Sequence, residues 1–238
     1  MRSSRRPVRS FEEILHLLPS TQLTRIGSFY PAEKLEVIDQ LHLAARRSAP
    51  FALPSIPMEE AHWHFQTPHL YAQLEIEQSP VPVRLIGVVD NINLDSRIVS
   101  GPYLTIHPYY ADDLERAKEL FAASKGFDPE FDEDCQEHAI MLSLPRAPPP
   151  HPRYEHLSAI GYPPPPQLAV DVFDDTAVPW TGTDNSPRLS PDFVKPNDLI
   201  ATVCHLNLRA NPQHGGAAFY LVVQEIRVVH VARDFLPA

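Results

Sequence analysis

The sequence predicts an α+β fold: a small antiparallel barrel or strongly curved sheet with about three helices and one long proline-rich excursion. Three observations predict it. Residues 198–209 and 219–231 are β-rich runs on either side of a turn from Asn211 to Gly216, which makes a long hairpin. The strands read at residues 69–89 and 103–106 supply partners for it, and partners are needed because an isolated hairpin is marginal in water. Thirteen of the 27 prolines lie between Pro145 and Pro196, where regular structure must be brief.

The elements follow in chain order. Arg2, Arg5, Arg6 and Arg9 precede the first acidic residue, Glu12, so residues 1–9 read as a disordered basic head. Ser10 and Glu13 have the spacing of a capping box, in which each side chain satisfies a free N–H of the first turn. Ile14, Leu15, Leu17 and Leu18 follow, and Pro19 ends that helix. Pro31 suits the first turn of a second helix, with Leu35, Ile38, Leu41 and Ala45 on one face and Arg46 and Arg47 at its negative end. Residues 50–68 are spaced by prolines and read as loop.

Residues 69–77 alternate: Leu70, Ala72, Leu74 and Ile76 one way, Tyr71, Gln73, Glu75 and Glu77 the other, as in a half-buried strand. Val83 to Val89 and Tyr103 to Ile106 read as further strands. Ala111 to Lys125 is a third helix. It has Asp112 and Asp113 in its first turn, Leu114, Ala117, Leu120 and Phe121 as its stripe, and Gly126 as its cap. Ala139 to Leu144 is another strand, and Leu168 to Phe173 a short one inside the proline-rich stretch 145–197. Residues 10–238 are therefore expected to form one domain whose sheet draws on 69–106, 139–144 and 198–231.

Hydrophobic residues make up 43% of the 238, enough for a core. The formal charge of −10 repels a phosphate backbone unless cations are segregated onto one face. Cys135 and Cys204 stand far apart and in no motif, which excludes a disulfide scaffold or a structural zinc site. There is no apolar run long enough for a membrane span, and no apolar core follows the basic head as in a secretory signal. The expected location is intracellular, cytoplasmic or nuclear. The arginine-rich head also fits an import signal or a nucleic-acid-contacting arm.

The second strand of the hairpin is long and apolar on both sides, with Tyr220, Val222, Ile226 and Val228 on one and Phe219, Leu221, Val223, Val229 and Val231 on the other. Such a pattern suits a curved strand that faces the core at one end and a helix at the other. Residues 193–203, followed by 219–229, resemble the last strands of an OB-type barrel. They also resemble fungal proteins with a comparable terminal hairpin. The OB resemblance implies an OB-like fold that binds single-stranded nucleic acid or another protein.

The residues put forward for nucleic-acid or partner binding are Tyr71, Arg84, Tyr103, Arg209, Tyr220 and Arg227. Single strands are held by bases stacked on exposed aromatics beside cations, and these strand positions carry both. The charge favours a protein partner, and the polyproline runs at 148–152 and 163–166 are candidates to dock on one. The alternative from another class is a metal-dependent hydrolase. His62 and His64 share a face if extended, and His69 adds a third nitrogen. No nucleophile elbow or glycine-rich phosphate loop is present, no cofactor is implied, and the expected function is a non-catalytic binding module.

Overall fold

The C-terminal hairpin is the spine of the sheet. In the computed structural model, which describes residues 32–66, 71–94, 101–122, 139–145, 169–177, 186–211 and 216–231, strands β10 (Leu199–Asn211) and β11 (Gly216–His230) pair antiparallel along their whole length. Two outer edges remain on this spine, and each is used twice.

On the β10 edge, residues 199–205 pair antiparallel with β5 (Pro82–Asn93), and residues 207–209 pair with β3 (Tyr71–Ile76). On the β11 edge, Leu221 and Val222 pair in parallel with β7 (Ile140–Ser143), and residues 225–228 with β8 (Asp171–Asp174). β6 (Tyr103–Pro108) bridges β5 and β7, antiparallel to both. The order β10, β5, β6, β7, β11 and back to β10 is a closed ring of strands. Three successive antiparallel neighbours, with the fourth strand returning beside the first, make this a Greek key.

Shorter strands extend the sheet beyond the ring. β2 (His62–Gln66) and β4 (Ser79–Pro80) pair with β3, β9 (Arg188–Leu189) pairs with β8, and β1 (Phe51–Ala52) runs parallel to β5. The sheet is mixed, not antiparallel as expected, because β11 takes β7 and β8 in parallel. The strand expected at 103–106 as a partner of the hairpin pairs with β5 and β7 instead, and reaches the hairpin only through the core. The strand expected at 139–144 does pair with the hairpin. The stretch 62–66, expected as loop, is a strand, since prolines 57 and 68 flank it without interrupting it.

Two α-helices lie within the described residues, α1 (Ala32–Ala45) and α2 (Ala111–Ala122), against about three expected. The helix expected at 10–18, the basic head, Cys135 and both polyproline runs fall outside the described residues. No described helix is long and apolar enough to cross a membrane.

The ring encloses the main core, built from Leu85, Leu104, Ile106, Ile140, Leu142, Ile200, Cys204, Leu206, Leu221, Val223, Ile226 and Val228. α2 adds Leu114 and Ala117 to that core. Its first turn also anchors the chain. Asp113 is fully buried and accepts a hydrogen bond from the Leu53 N–H at 3.2 Å, a role that helix-start charge alone does not foretell. Burial pushes the Cys204 thiol up to about 12, so it sits in the core as a small neutral hydrophobe.

A second core lies outside the ring, where Ile38 of α1, with Leu35 and Leu41, covers Ile86, Val88, Leu199, Ala201 and Val229. The expected two-sided β11 is present, but its faces exchange part-way. A register shift between Val203 and Cys204 leaves Gln224 unopposed. That bulge turns Ile226 and Val228 inward with Leu221 and Val223, not outward with Tyr220 and Val222. Strict alternation does not reveal such a shift.

The β3–β4 turn places Glu77 and Gln78 at φ 51° and 64°. Two successive left-handed residues are what a two-residue hairpin turn demands, and neither residue is suited to them. Gln78→Gly is expected to raise stability by about 1 kcal/mol, read as a shifted urea midpoint at constant slope. An unchanged or lower midpoint would contradict this account of the turn.

Candidate functional site

Cross-strand register decides which side chains share a face, because residues directly opposite one another project the same way. His64 of β2 stands opposite Gln73 of β3, Gln73 opposite Asn207 of β10, and Asn207 opposite Tyr220 of β11. One row thus crosses four strands. In the next row Tyr71 stands opposite Arg209. On the other side of the first row His205 stands opposite Val222, and beyond it Arg84, Val203 and Glu225 align. All of these lie on the outer surface, since Ala72, Leu74, Cys204, Leu206 and Leu221 between them point into the core.

The outer surface divides in two. Toward residues 199–201 of β10 it is roofed by α1, and toward residues 205–209 neither described helix covers it. At the open end Tyr71 and Arg209 are exposed and Tyr220 is half-buried. The Arg209 guanidinium lies 5.5 Å from the centre of the Tyr71 ring, and the Tyr71 and Tyr220 rings meet edge to face at 6.4 Å. Both contacts suit the quadrupole of an aromatic ring and hold the three side chains as a unit. Burial raises the Tyr220 phenol, against a hydrogen bond from Asn207 that lowers it, and Tyr71 raises it further while Arg209 opposes. Gln73 Nε2 lies 3.2 Å from His205 Nδ1, and burial lowers the pKa of His205. His205 is therefore neutral at physiological pH, with a ring nitrogen able to accept from the amide.

The six residues put forward from sequence do not all meet. Tyr71, Arg209 and Tyr220 form the open cluster. Arg84 shares their surface but is half-buried, in the row containing Glu225. Burial lowers its pKa, Glu225 works against that, and the charge of Arg227 adds to it. Arg227 lies toward the roofed end and is only 7% exposed. Its guanidinium contacts Asp175 at 3.2 Å, hydrogen-bonds Glu225, and sits 4.8 Å over the Phe173 ring. Burial alone would lower its pKa, but the two carboxylates outweigh this and raise it. Asp175 is also held by the Ser186 hydroxyl, and its backbone carbonyl accepts from the buried Lys34 ammonium at 2.9 Å. Arg227 therefore does not present its charge with the open cluster. Tyr103 stands on β6, separated from β10 by β5, on another part of the ring.

Sequence reasoning missed Gln73, Asn207 and His205. Their signal was present, since each alternates with buried neighbours, but only the register of β3 with β10 brings them together. His62 and His64 do project from one side of β2, and His64 Nδ1 lies 3.8 Å from Glu75 Oε2. His69 lies outside the described residues. Among the described residues no group of three or more His, Cys, Asp or Glu side chains is placed to hold a metal ion, and nothing observed favours the hydrolase alternative.

No family model matches this chain, and no curated protein does. Among solved structures it is similar to the single-stranded DNA-binding protein from bacteriophage Enc34, at 7% identity and a TM-score of 0.35, over 75% of this chain and 94% of that one. A C-terminal truncation of the same phage protein gives 9% identity and a TM-score of 0.34, over 75% of this chain and 99% of that one. Nothing in these comparisons supports the likeness to fungal proteins.

Proposed function

We propose that the chain is a non-catalytic, OB-like binding module that takes single-stranded nucleic acid on the open face of β3, β10 and β11. The observation that carries this reading is the cluster of Tyr71, Arg209 and Tyr220, with His64, Gln73, Asn207 and His205 in the adjoining rows. Tyrosine rings offer planes on which bases stack whatever their sequence. Arg209 supplies a cation for the phosphate, and the amides and imidazoles offer donors and acceptors to base edges. The five-stranded Greek-key ring is the plan of OB-type modules, which supports the same reading.

OB-type modules commonly bind on their second and third strands. In this ring those are β6 and β7, which carry Tyr103. The face proposed here is built instead on the fourth and fifth ring strands, extended by β2 and β3. The net charge of −10 makes such a face local: binding relies on stacking more than on a broad basic field.

Fluorescence anisotropy of a labelled single-stranded oligonucleotide, at two salt concentrations and with duplex as competitor, tests this. Saturable binding that resists duplex is expected. Tyr71→Ala should weaken it about tenfold or more, in line with the loss of one stacked base. Arg209→Ala should also reduce its salt dependence, while Tyr103→Ala should leave it unchanged. An effect of Tyr103→Ala alone would move the site to β6. No binding at low salt would remove nucleic acid and leave a protein partner for the face, the reading that the acidic charge favours.

A further inference from the structure

We infer that β2 is a self-association edge, which pairs antiparallel with β2 of a second copy of this chain. The strand path ends at β2 on one side and at β9 on the other. The two ends are built differently. β9 is two residues long, lies between Pro187 and Pro191, and carries Arg188, whose guanidinium pairs with Asp171 at 3.3 Å. Shortness, proline and charge are the usual devices that stop an edge strand from recruiting another. β2 has none of them. It is five residues long, His62–Gln66, with no proline, lysine, arginine or carboxylate, and its outer edge has no strand partner among the described residues.

The sequence of β2 says what partner fits. Read antiparallel against itself about His64, it places Trp63 opposite the partner's Phe65, Phe65 opposite the partner's Trp63, and His64 opposite the partner's His64. A two-fold interface requires this self-complementarity, since each residue must suit its counterpart in both directions. Aromatic cross-strand pairs are among the most favourable. Trp63 is already half-set in the core, tilted against Phe219 at 5.7 Å. Phe65, next on the same face, is 60% exposed, a large apolar side chain outside the core of one copy. Pairing with a second copy lays it against the partner's Trp63. The opposite row then joins two copies of the outer face through His64.

The test is sedimentation velocity of the full chain over a concentration series, with Phe65→Lys as the variant. Phe65 is exposed, so the variant is expected to keep the far-ultraviolet circular dichroism and melting of the parent. A concentration-dependent dimer that becomes a monomer in Phe65→Lys is the expected result. A second variant reads the register directly. Residues directly opposite in an antiparallel pair have Cα atoms about 4.5–5.5 Å apart, within disulfide range. His64→Cys combined with Cys135→Ser should therefore oxidise to a covalent dimer, the buried Cys204 being inaccessible. A chain that stays monomeric at every concentration overturns the inference. So does a dimer that survives Phe65→Lys and fails to cross-link at position 64. Nucleic-acid binding is read separately, on the parent chain and on Phe65→Lys, so that loss of the dimer and loss of the proposed binding are distinguishable.

Discussion

Arg227→Met is expected to destabilise the protein by about 3–5 kcal/mol, because it leaves a buried carboxylate without its cation. Asp175 is fully buried at the side chain, and the Arg227 guanidinium 3.2 Å away is its ion-pair partner. Lys34 is near enough to matter electrostatically, but its ammonium hydrogen-bonds the backbone carbonyls of Asp175 and Ala177, at 2.9 and 3.3 Å. Burial lowers the pKa of Lys34, with Asp175 and Asp174 opposing that shift, so it is a poor replacement cation. The variant also removes the cation over the Phe173 ring. Urea unfolding of Arg227→Met, Asp175→Leu and the double variant separates the pair from its surroundings. Replacing both partners by apolar groups of similar size should restore much of the loss, a non-additivity that defines the interaction. Strictly additive losses would show that the two side chains do not act as a pair.

Gly87→Ala is expected to cost about 1–3 kcal/mol, as overpacking at a rigid site does. A β-carbon at position 87 would stand 2.5 Å from the His107 carbonyl oxygen and 3.0 Å from its carbon. The obstacle is backbone of the neighbouring strand β6, so no side-chain rotation relieves it. Gly87 pairs with Pro108 on one side and Ile200 on the other, where β5 is wedged between β6 and β10. The expected result is a lowered melting temperature with the same circular dichroism spectrum as the parent. A midpoint within the error of the parent would mean that β6 shifts freely, against the close packing of the ring.

How much of this was legible beforehand depends on the reach of each signal. The helix faces and the strands expected at 69–77, 83–89, 103–106 and 139–144 follow from period and capping, which act over one or two turns of chain. β3, β5, β6 and β7 overlap those strands, with β5 running on to Asn93. The hairpin followed from two β-rich runs around a short turn. What was hidden is set by pairing at long range. Parallel partners for β11 lie some eighty residues before it, at β7, and no local pattern announces them. The bulge at Gln224 changes the inside of β11 to its outside without leaving a mark in apolar content.

The site shows the same division. Tyr71 is legible as a strand residue on a polar face and Arg209 as a strand cation, and the register brings them into contact. Arg227 looked like one more strand cation. The structure gives it to Asp175, whose position depends on β8 emerging from a proline-rich stretch. Asp113 looked like helix-start charge, yet it holds the Leu53 N–H. In both cases a charged residue took a buried partner far along the chain, and sequence spacing carries no information on such pairs.

The closed ring also bears on how the chain reaches its native state. β10 and β11 meet across a short turn, and such hairpins form within about 1–10 μs. β10 must then find β5, with Leu199 set against Val88 about a hundred residues earlier. The entropy of closing that span is lost before any contact across it is gained. Docking of β5 onto a preformed hairpin is therefore expected to govern the folding rate. Thr202 of β10 stands opposite Leu85 of β5, and its buried hydroxyl donates to the Leu85 carbonyl at 3.3 Å. On that view Thr202→Val at this seam slows folding, whereas a substitution at β8 or β9 speeds unfolding and leaves the folding arm of a chevron plot unmoved.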